Sequence, residues 1–212
     1  MTDFTLHIGT RIWSSWSLRP FMALAATGAD FDAVVTPLRS PATKAAITRF
    51  SPSGLVPVLV DHRPEEPVTV WDSLAICEYL AESFPDLWPR DAAARAIARA
   101  VSAEMHAGFR SMRMAMPMDL FAARPGEGLD AEGVETDIQR IDAIFADCRS
   151  RFGAGGPYLF GRFCIADAMF APVASRFRTY GPTLSDASEA YVATLLADPG
   201  FKAWEEAALK EM

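Results

Sequence analysis

The chain has 212 residues, of which 50% are hydrophobic and 22% are charged, with a formal net charge of -7 and a pI near 5.0. This length and apolar content suffice for a substantial core in one large or two small domains. The acidic balance argues against nucleic acid or an anionic membrane surface as the main partner.

Neither targeting nor metal binding is indicated by the sequence. No apolar run approaches the roughly 20 residues needed to span a bilayer, and no basic segment followed by an apolar core opens the chain, so we expect a cytoplasmic protein. The cysteines Cys77, Cys148 and Cys164 are odd in number and widely spaced. We therefore expect reduced, buried thiols, with no disulfide framework and no metal.

The first part of the chain alternates short β-type runs with helical ones. The pattern predicts strands at 4–8, 31–35, 56–60 and 68–71, and helices at 18–27, 42–49 and 73–83. Alternation of this kind predicts an α/β sandwich with a partly parallel sheet.

After the proline-bearing segment 84–89 the pattern is helical throughout. It predicts one long helix at 92–121 that bends or breaks at Pro117, then a loop and a further helix at 134–152. We predict two domains, at 1–84 and 92–212, joined by a linker at 85–91.

A serine-containing turn lies between the first strand and the first helix. Ser14 and Ser17 stand where thioredoxin-like proteins place the two cysteines of a redox motif. A hydroxyl at a helix N-terminus joins free N–H groups and the positive end of the helix dipole, so the turn suits an anion such as a bound thiolate. The alternative is that one serine merely caps the helix.

Two further motifs suit an amino-acid or peptide ligand. A cis bond between Val56 and Pro57 would leave the N–H and C=O of Val56 free to pair with an extended peptide, and the sequence leaves the isomer open. Ser73 at a helix start could bind a carboxylate, with Asp72 beside it for an ammonium group. The alternative is that Asp72 or Ser73 is only a helix cap.

A third motif is structural. Asp167 follows Cys164 by three residues, a spacing that predicts a capping box at the start of a core helix. We assign this aspartate no catalytic role.

In this order, these motifs resemble the glutathione transferase family over nearly the whole chain. The segment from Ser14 to Arg19 is most similar to the Ser-Ser-Cys-Ser-x-Arg signature of the zeta class, with Trp16 in place of the cysteine. Leu55 stands where many members carry Lys or Gln. The resemblance implies an N-terminal thioredoxin-like domain that binds glutathione, followed by an all-helical C-terminal domain, and assembly as a homodimer.

The resemblance also implies roles for individual residues. Ser14 would stabilise the glutathione thiolate, supported by Ser15 and Arg19. The cysteinyl and γ-glutamyl parts of glutathione would be bound by Val56, Pro57, Asp72 and Ser73. Glutathione is then a co-substrate, and no metal is needed.

The pocket for the second substrate is expected between the serine turn and the first long helix of the C-terminal domain. Its predicted lining is Trp13, Met105, Phe109, Met112, Arg113 and Met116. The alternative is that these methionines form a helix-bundle core. Arg110 and Arg113 could help to bind an acidic substrate.

We therefore expect a glutathione S-transferase that acts on a small, apolar electrophile. Two alternatives stay open, namely a non-catalytic protein of this fold that binds a ligand or docks a partner, and a zeta-like glutathione-dependent isomerase. A thiol–disulfide reductase ranks last because the turn carries no cysteine.

Overall fold

The computed structural model describes residues 2–212. Its N-terminal part is a four-stranded sheet with strand order β2-β1-β3-β4, in which β1 runs parallel to β2 and antiparallel to β3, and β3 is antiparallel to β4. The elements are β1 (Phe4–Gly9), α1 (Ser15–Thr27), β2 (Phe31–Thr36), α2 (Thr43–Ile47), β3 (Val58–Asp61), β4 (Val68–Trp71) and α3 (Ser73–Ser83).

Helices alone make up the remainder, apart from isolated bridges and short 3-10 turns at Pro85–Leu87 and Gly153–Gly155. They are α4 (Ala92–Ala107), α5 (Arg110–Ala115), α6 (Val134–Phe152), α7 (Ile165–Tyr180), α8 (Asp186–Ala197) and α9 (Pro199–Leu209). The fold is thus a thioredoxin-like α/β domain followed by an all-helical domain, as predicted.

Helices α1 and α7 join the N-terminal sheet to the helical domain. The central strand β1 alternates as the sequence predicts, and Phe4, Leu6 and Ile8 on its inner face are completely buried. Helix α1 contacts β1, packs against α3, and on the helical side packs against α7 and α9. Helix α7 also packs against α4 and α8, and all of its residues except Arg178 are buried. The start of α1 therefore lies where the two layers meet.

The prediction of one long helix at 92–121 is wrong. Helix α4 ends at Ala107, after which Gly108 is extended and Phe109 adopts a left-handed conformation with φ 59°. The Arg113 guanidinium donates to the carbonyls of His106 and Gly108 at this break, satisfying acceptors that a helix end leaves free. Pro117 causes no bend because α5 has already ended.

The capping box at the start of α7 is confirmed. The Asp167 carboxylate accepts hydrogen bonds from the Cys164 N–H (2.8 Å), the Leu159 N–H (3.1 Å) and the Tyr191 hydroxyl (2.8 Å). Burial raises the pKa of Asp167 to about 6. Ionisation is therefore harder in the folded state, and this carboxyl contributes most to stability below pH 4 and less as the pH rises through 6.

Within residues 2–212, no helix combines the length and apolar character that crossing a membrane requires.

Replacing Asp167 by Ala should lower the free energy of unfolding by about 3 kcal/mol, because two buried N–H groups and the Tyr191 hydroxyl lose their acceptor. Urea denaturation measures this change. The control Asp147→Ala removes an exposed carboxylate of α6 and should change stability by less than about 0.5 kcal/mol. Equal losses in the two variants would contradict a structural role for Asp167.

Candidate functional site

The serine turn gives its hydroxyl groups different tasks. Ser14 precedes α1, and its hydroxyl donates to the Ser17 Oγ at 2.7 Å. Ser17 is completely buried and also accepts the Gly9 N–H at 3.2 Å. The Ser15 Oγ instead accepts a hydrogen bond from Nη2 of Arg176 at 3.3 Å. The Ser14 hydrogen is thus engaged within the protein, whereas that of Ser15 is left for another acceptor.

Arg176 joins α7 to the serine turn. Its Nε donates to the Met116 carbonyl at 2.9 Å and its Nη1 to the Pro172 carbonyl at 3.1 Å. No carboxylate of the described chain pairs with this guanidinium. Burial, and secondarily the charge of Arg113, lower the pKa of Arg176 to about 10. The Ser15 hydroxyl is therefore polarised by a buried positive charge.

Arg19 adds to this buried charge. Its side chain is 1% exposed, and its Nε and Nη1 lack hydrogen-bond partners within the described residues. Burial lowers the pKa of Arg19 to about 9, with further lowering by Arg113 and Arg176. Its guanidinium lies 4.2 Å from the ring centroid of Trp16. Arg19, Arg113 and Arg176 thus form a cluster, which we call the arginine cluster, of mutually repelling cations near the start of α1.

A first pocket, of about 460 Å³, brings together the two ligand-binding motifs of the sequence. The Val56–Pro57 bond is cis, and both residues line the pocket with Asp72 and Ser73. Ser73 is 1% exposed, and its buried hydroxyl has no hydrogen-bond partner among residues 2–212. A buried, unsatisfied hydroxyl at a helix start is suited to a ligand carboxylate. We call this cavity the amino-acid pocket.

Asp72 shapes the edge of this pocket. Its Oδ1 accepts the N–H groups of Leu74 at 2.9 Å and Ala75 at 3.2 Å, which caps α3. Its Oδ2 lies 3.3 Å from the His106 Nε2. Asp72 has φ 77° and ψ 134°, a conformation that residues other than glycine rarely adopt. Asp72 therefore caps α3, and the cap uses only one of its two oxygens.

A second pocket, of about 510 Å³, lies on the other side of Trp16, and we call it the arginine pocket. Four guanidinium groups reach it and no acidic side chain lines it, although the whole chain carries a net charge of -7. Its lining is Trp13, Ser15, Trp16, Arg39, His106, Ala107, Arg110, Arg113, Met114, Pro117, Met118 and Arg176. Such a cavity is suited to an anion.

Trp16 and His106 line both pockets and form their common wall. The two rings meet edge to face with centroids 5.4 Å apart. The indole is further held by Arg19 and by Arg113, whose guanidinium lies 5.1 Å from the ring centroid. Molecules in the two pockets would therefore be neighbours, separated by these two side chains.

Not all predicted site residues line a pocket. Trp13 and Arg113 line the arginine pocket as expected, but Met105, Phe109, Met112 and Met116 do not. These four are between 0% and 7% exposed and belong to the hydrophobic core, which corrects the predicted lining. Ser14 and Arg19 lie behind the pocket surfaces, next to residues that line them.

Arg39, His106 and Arg176 are site residues that the sequence analysis missed. Arg39 follows β2, and its guanidinium lies 4.1 Å from the ring centroid of Trp13. Arg176 offered one signal, since it is a lone cation within the mostly apolar run 168–177. Nothing in the local sequence indicates that His106 reaches the N-terminus of α3.

The cysteines of the described chain and its potential metal ligands lie outside both pockets or are not clustered. All three cysteines are free and buried, and burial raises the pKa of Cys77 and of Cys148 to about 12 and that of Cys164 well above its ordinary range. Such thiols are unreactive at neutral pH. Among residues 2–212, no cluster of three or more His, Cys, Asp or Glu side chains is placed to hold a metal ion.

The structure combines a thioredoxin-like domain with an all-helical domain, and the serine turn lies at their boundary. Models of the glutathione S-transferase N-terminal domain and C-terminal domain match residues 13–83 and 130–207. The chain belongs to the glutathione S-transferase family.

Individual relatives agree with this assignment. A probable maleylacetoacetate isomerase of Caenorhabditis elegans is 35% identical over 101 residues, 47% of this chain and 45% of that protein. The match thus spans less than half of that relative's length. The maleylacetoacetate isomerase of Emericella nidulans is 26% identical over 185 residues, covering 80% of this chain and 79% of that protein.

Solved structures extend the likeness to the whole fold. A glutathione transferase homologue from Burkholderia GL BGR1, solved with bound glutathione, has a TM-score of 0.70 at 23% identity and covers 99% of both chains.

Replacing Asp72 by Ala should lower the free energy of unfolding by about 2 kcal/mol, because the cap of α3 is lost and alanine is strained at this φ. Asp72→Asn keeps a capping oxygen and should cost less than about 1 kcal/mol. Chemical denaturation compares both with Asp130→Ala in an exposed turn, which should be neutral. An equal cost for alanine and asparagine would contradict the cap.

Proposed function

We propose that the protein is a glutathione-dependent transferase that binds glutathione in the amino-acid pocket and holds its second substrate in the arginine pocket. The observation that carries this proposal is the common wall of Trp16 and His106, because it makes the two ligands neighbours. The family assignment supports glutathione as the thiol.

The γ-glutamyl and cysteinyl parts of glutathione each have a matching partner in the amino-acid pocket. Ser73 offers its unsatisfied hydroxyl to the γ-glutamyl carboxylate, and the Oδ2 of Asp72 accepts the α-ammonium group. The N–H and C=O of Val56 pair with the cysteinyl main chain, and Pro57 holds the turn. The sulfur must then extend past Trp16 to reach the serine turn, because Ser15 lines the arginine pocket and not the amino-acid pocket.

Ser15 is the donor to the glutathione sulfur in this proposal. Its hydroxyl accepts from Arg176 and keeps its hydrogen for the thiolate, whereas the Ser14 hydroxyl is bonded to Ser17. Ser14 therefore orients the turn. The charges of Arg19, Arg113 and Arg176 favour the thiolate over the thiol, and each unit by which the pKa falls below about 8.5 corresponds to roughly 1.4 kcal/mol.

The reaction requires only the thiolate and an electrophile. The thiol proton leaves to solvent, the sulfur lone pair forms a bond to the electrophilic carbon, and the leaving group departs with the electron pair of its own bond. The Ser15 hydroxyl and the positive charge of the arginine cluster stabilise the sulfur until attack.

The arginine pocket favours an anionic second substrate over the apolar one expected from the sequence. A carboxylate can form paired hydrogen bonds with a guanidinium, and Arg39 and Arg110 carry no ion pair to an acidic side chain of the described chain. This same observation favours a second candidate, a glutathione-dependent isomerase of an unsaturated acid, the activity named for the two maleylacetoacetate isomerase relatives. Trp16 occupies the position of the cysteine in the zeta-class signature, and this difference favours the transferase over the isomerase.

Two further proposals concern the assembly and the location of the protein. Assembly as a homodimer and a cytoplasmic location rest on the resemblance to the family and on sequence composition. Light scattering measures the first and fractionation of cells the second. A protein of this fold that only binds ligands would retain both pockets but would show no turnover.

Ser15→Ala should raise the pKa of the bound glutathione thiol by at least about one unit and lower kcat/KM at least about tenfold. Ultraviolet absorbance of the thiolate across pH measures the pKa, alongside Ser14→Ala and Ser150→Ala. Ser150 is exposed on α6 and serves as the matched control. A normal thiol pKa in the wild type would favour a carrier, and a loss confined to Ser14→Ala would make Ser14 the donor.

An anionic electrophile should be preferred to its neutral counterpart by about tenfold in kcat/KM, the equivalent of one charge-assisted contact of about 1.4 kcal/mol. The test compares 4-chloro-3-nitrobenzoate with 4-chloro-3-nitrobenzamide, each divided by its uncatalysed rate with glutathione. Arg110→Gln should reduce the preference, while Arg162→Gln, exposed and outside both pockets, should not. Equal rates for the two electrophiles in the wild type would contradict an anionic substrate.

A further inference from the structure

The two oxygens of Asp72 have different partners. Oδ1 is used in the cap of α3, where it accepts from Leu74 and Ala75. Oδ2 is the oxygen left for a ligand, and the His106 Nε2 covers it at 3.3 Å. His106 belongs to the last turn of α4, so a residue of the helical domain reaches across to the receptor for the α-ammonium group.

In the part of the chain that the structure describes, the His106 side chain has no other polar partner. Its Nδ1 is buried without a hydrogen-bond partner within the described residues, and its ring packs against the edge of Trp16. The main-chain carbonyl of His106 is held separately, by the Arg113 guanidinium. The backbone is therefore fixed at this point, and the imidazole is tied to the rest of the site through Asp72.

We propose that His106 sets the affinity for glutathione by occupying the Oδ2 of Asp72 in the ligand-free protein and yielding it to the α-ammonium of the γ-glutamyl group. This inference rests on the proposed function of the amino-acid pocket. It assigns to His106 a competing role, in which the side chain and the ligand are alternative donors to one carboxylate oxygen.

The exchange is favourable only while His106 is neutral. Burial lowers the pKa of His106; the charge of Asp72 opposes this, and those of Arg19 and Arg113 add to it. Arg39, Arg110 and Arg176 line the same cavity as the imidazole. At neutral pH an ammonium cation therefore replaces a neutral N–H donor and makes the stronger, charge-assisted bond.

Acidification reverses this advantage. Once protonated, His106 is itself a cation paired with Asp72, and the incoming ammonium must displace it and then lie beside it. The complex consequently binds fewer protons than the free protein, so affinity must rise with pH across the titration of His106. Proton release on binding follows from the same linkage.

Calorimetry with S-methylglutathione between pH 5 and pH 7 tests the inference, because the methyl group removes the titration of the thiol. Wild-type affinity should be lost progressively as the pH falls from 7 to 5, with protons released into buffers of different ionisation enthalpy. His106→Gln retains a neutral donor to Asp72 and should bind equally at both pH values, with wild-type affinity at pH 7. His62→Gln, whose imidazole bonds to Thr5 instead, should behave as the wild type.

A second ligand tests the contribution of the α-ammonium group alone. The S-methylglutathione analogue without the α-amino group does not compete for Oδ2, so its affinity for the wild type should be independent of pH over this range. Three results would overturn the inference: pH dependence that persists in His106→Gln, lost binding at pH 7 in both His106→Gln and His106→Ala, or the same pH dependence for the analogue. Failure of the wild type to bind S-methylglutathione at any pH would contradict the glutathione site itself.

Discussion

The hydrogen bond from Arg176 to Ser15 is the contact on which the site depends, because it places a buried positive charge from the helical domain at the start of α1. The same guanidinium donates to the carbonyls of Met116 and Pro172, which fixes its position. The three guanidinium groups of the arginine cluster repel one another, and nearby carboxylates offset little of this repulsion. This arrangement of cations does not stabilise the fold. It prepares the site to bind an anion.

Trp16 separates the amino-acid pocket from the arginine pocket. Its indole is held between cations, with Arg19 and Arg113 within 5.1 Å of its ring centroid, and its edge meets His106. These contacts place the ring between the two pockets. The zeta-class signature has a cysteine at this position, so the division of the cleft is a property of this chain's own residue.

The parts of the fold that local rules determine could be predicted from the sequence. The strand alternation of β1, the start of α3 at Ser73 and the Asp167 cap each depend on residues within a few positions of one another. The motifs at Val56–Pro57 and Asp72–Ser73 were likewise visible as candidate ligand sites, and the structure brings them into one pocket.

Long-range pairing could not be predicted in this way. The end of α4 at Ala107 depends on Phe109 entering the core and on Arg113 binding the freed carbonyls, and neither is visible in helical periodicity. The methionines of this region have the spacing of a helix face, but which face meets the cleft is decided by that break. Contacts such as Arg176 with Ser15, 161 positions apart, have no local sequence signal.

A crystal structure of the complex with glutathione would show where the sulfur lies relative to the arginine cluster. We expect the sulfur within about 3.5 Å of the Ser15 Oγ, on the side facing the arginine pocket, with the γ-glutamyl group at Asp72 and Ser73. A sulfur bonded to Ser14 alone, or a glutathione molecule outside the amino-acid pocket, would contradict this placement.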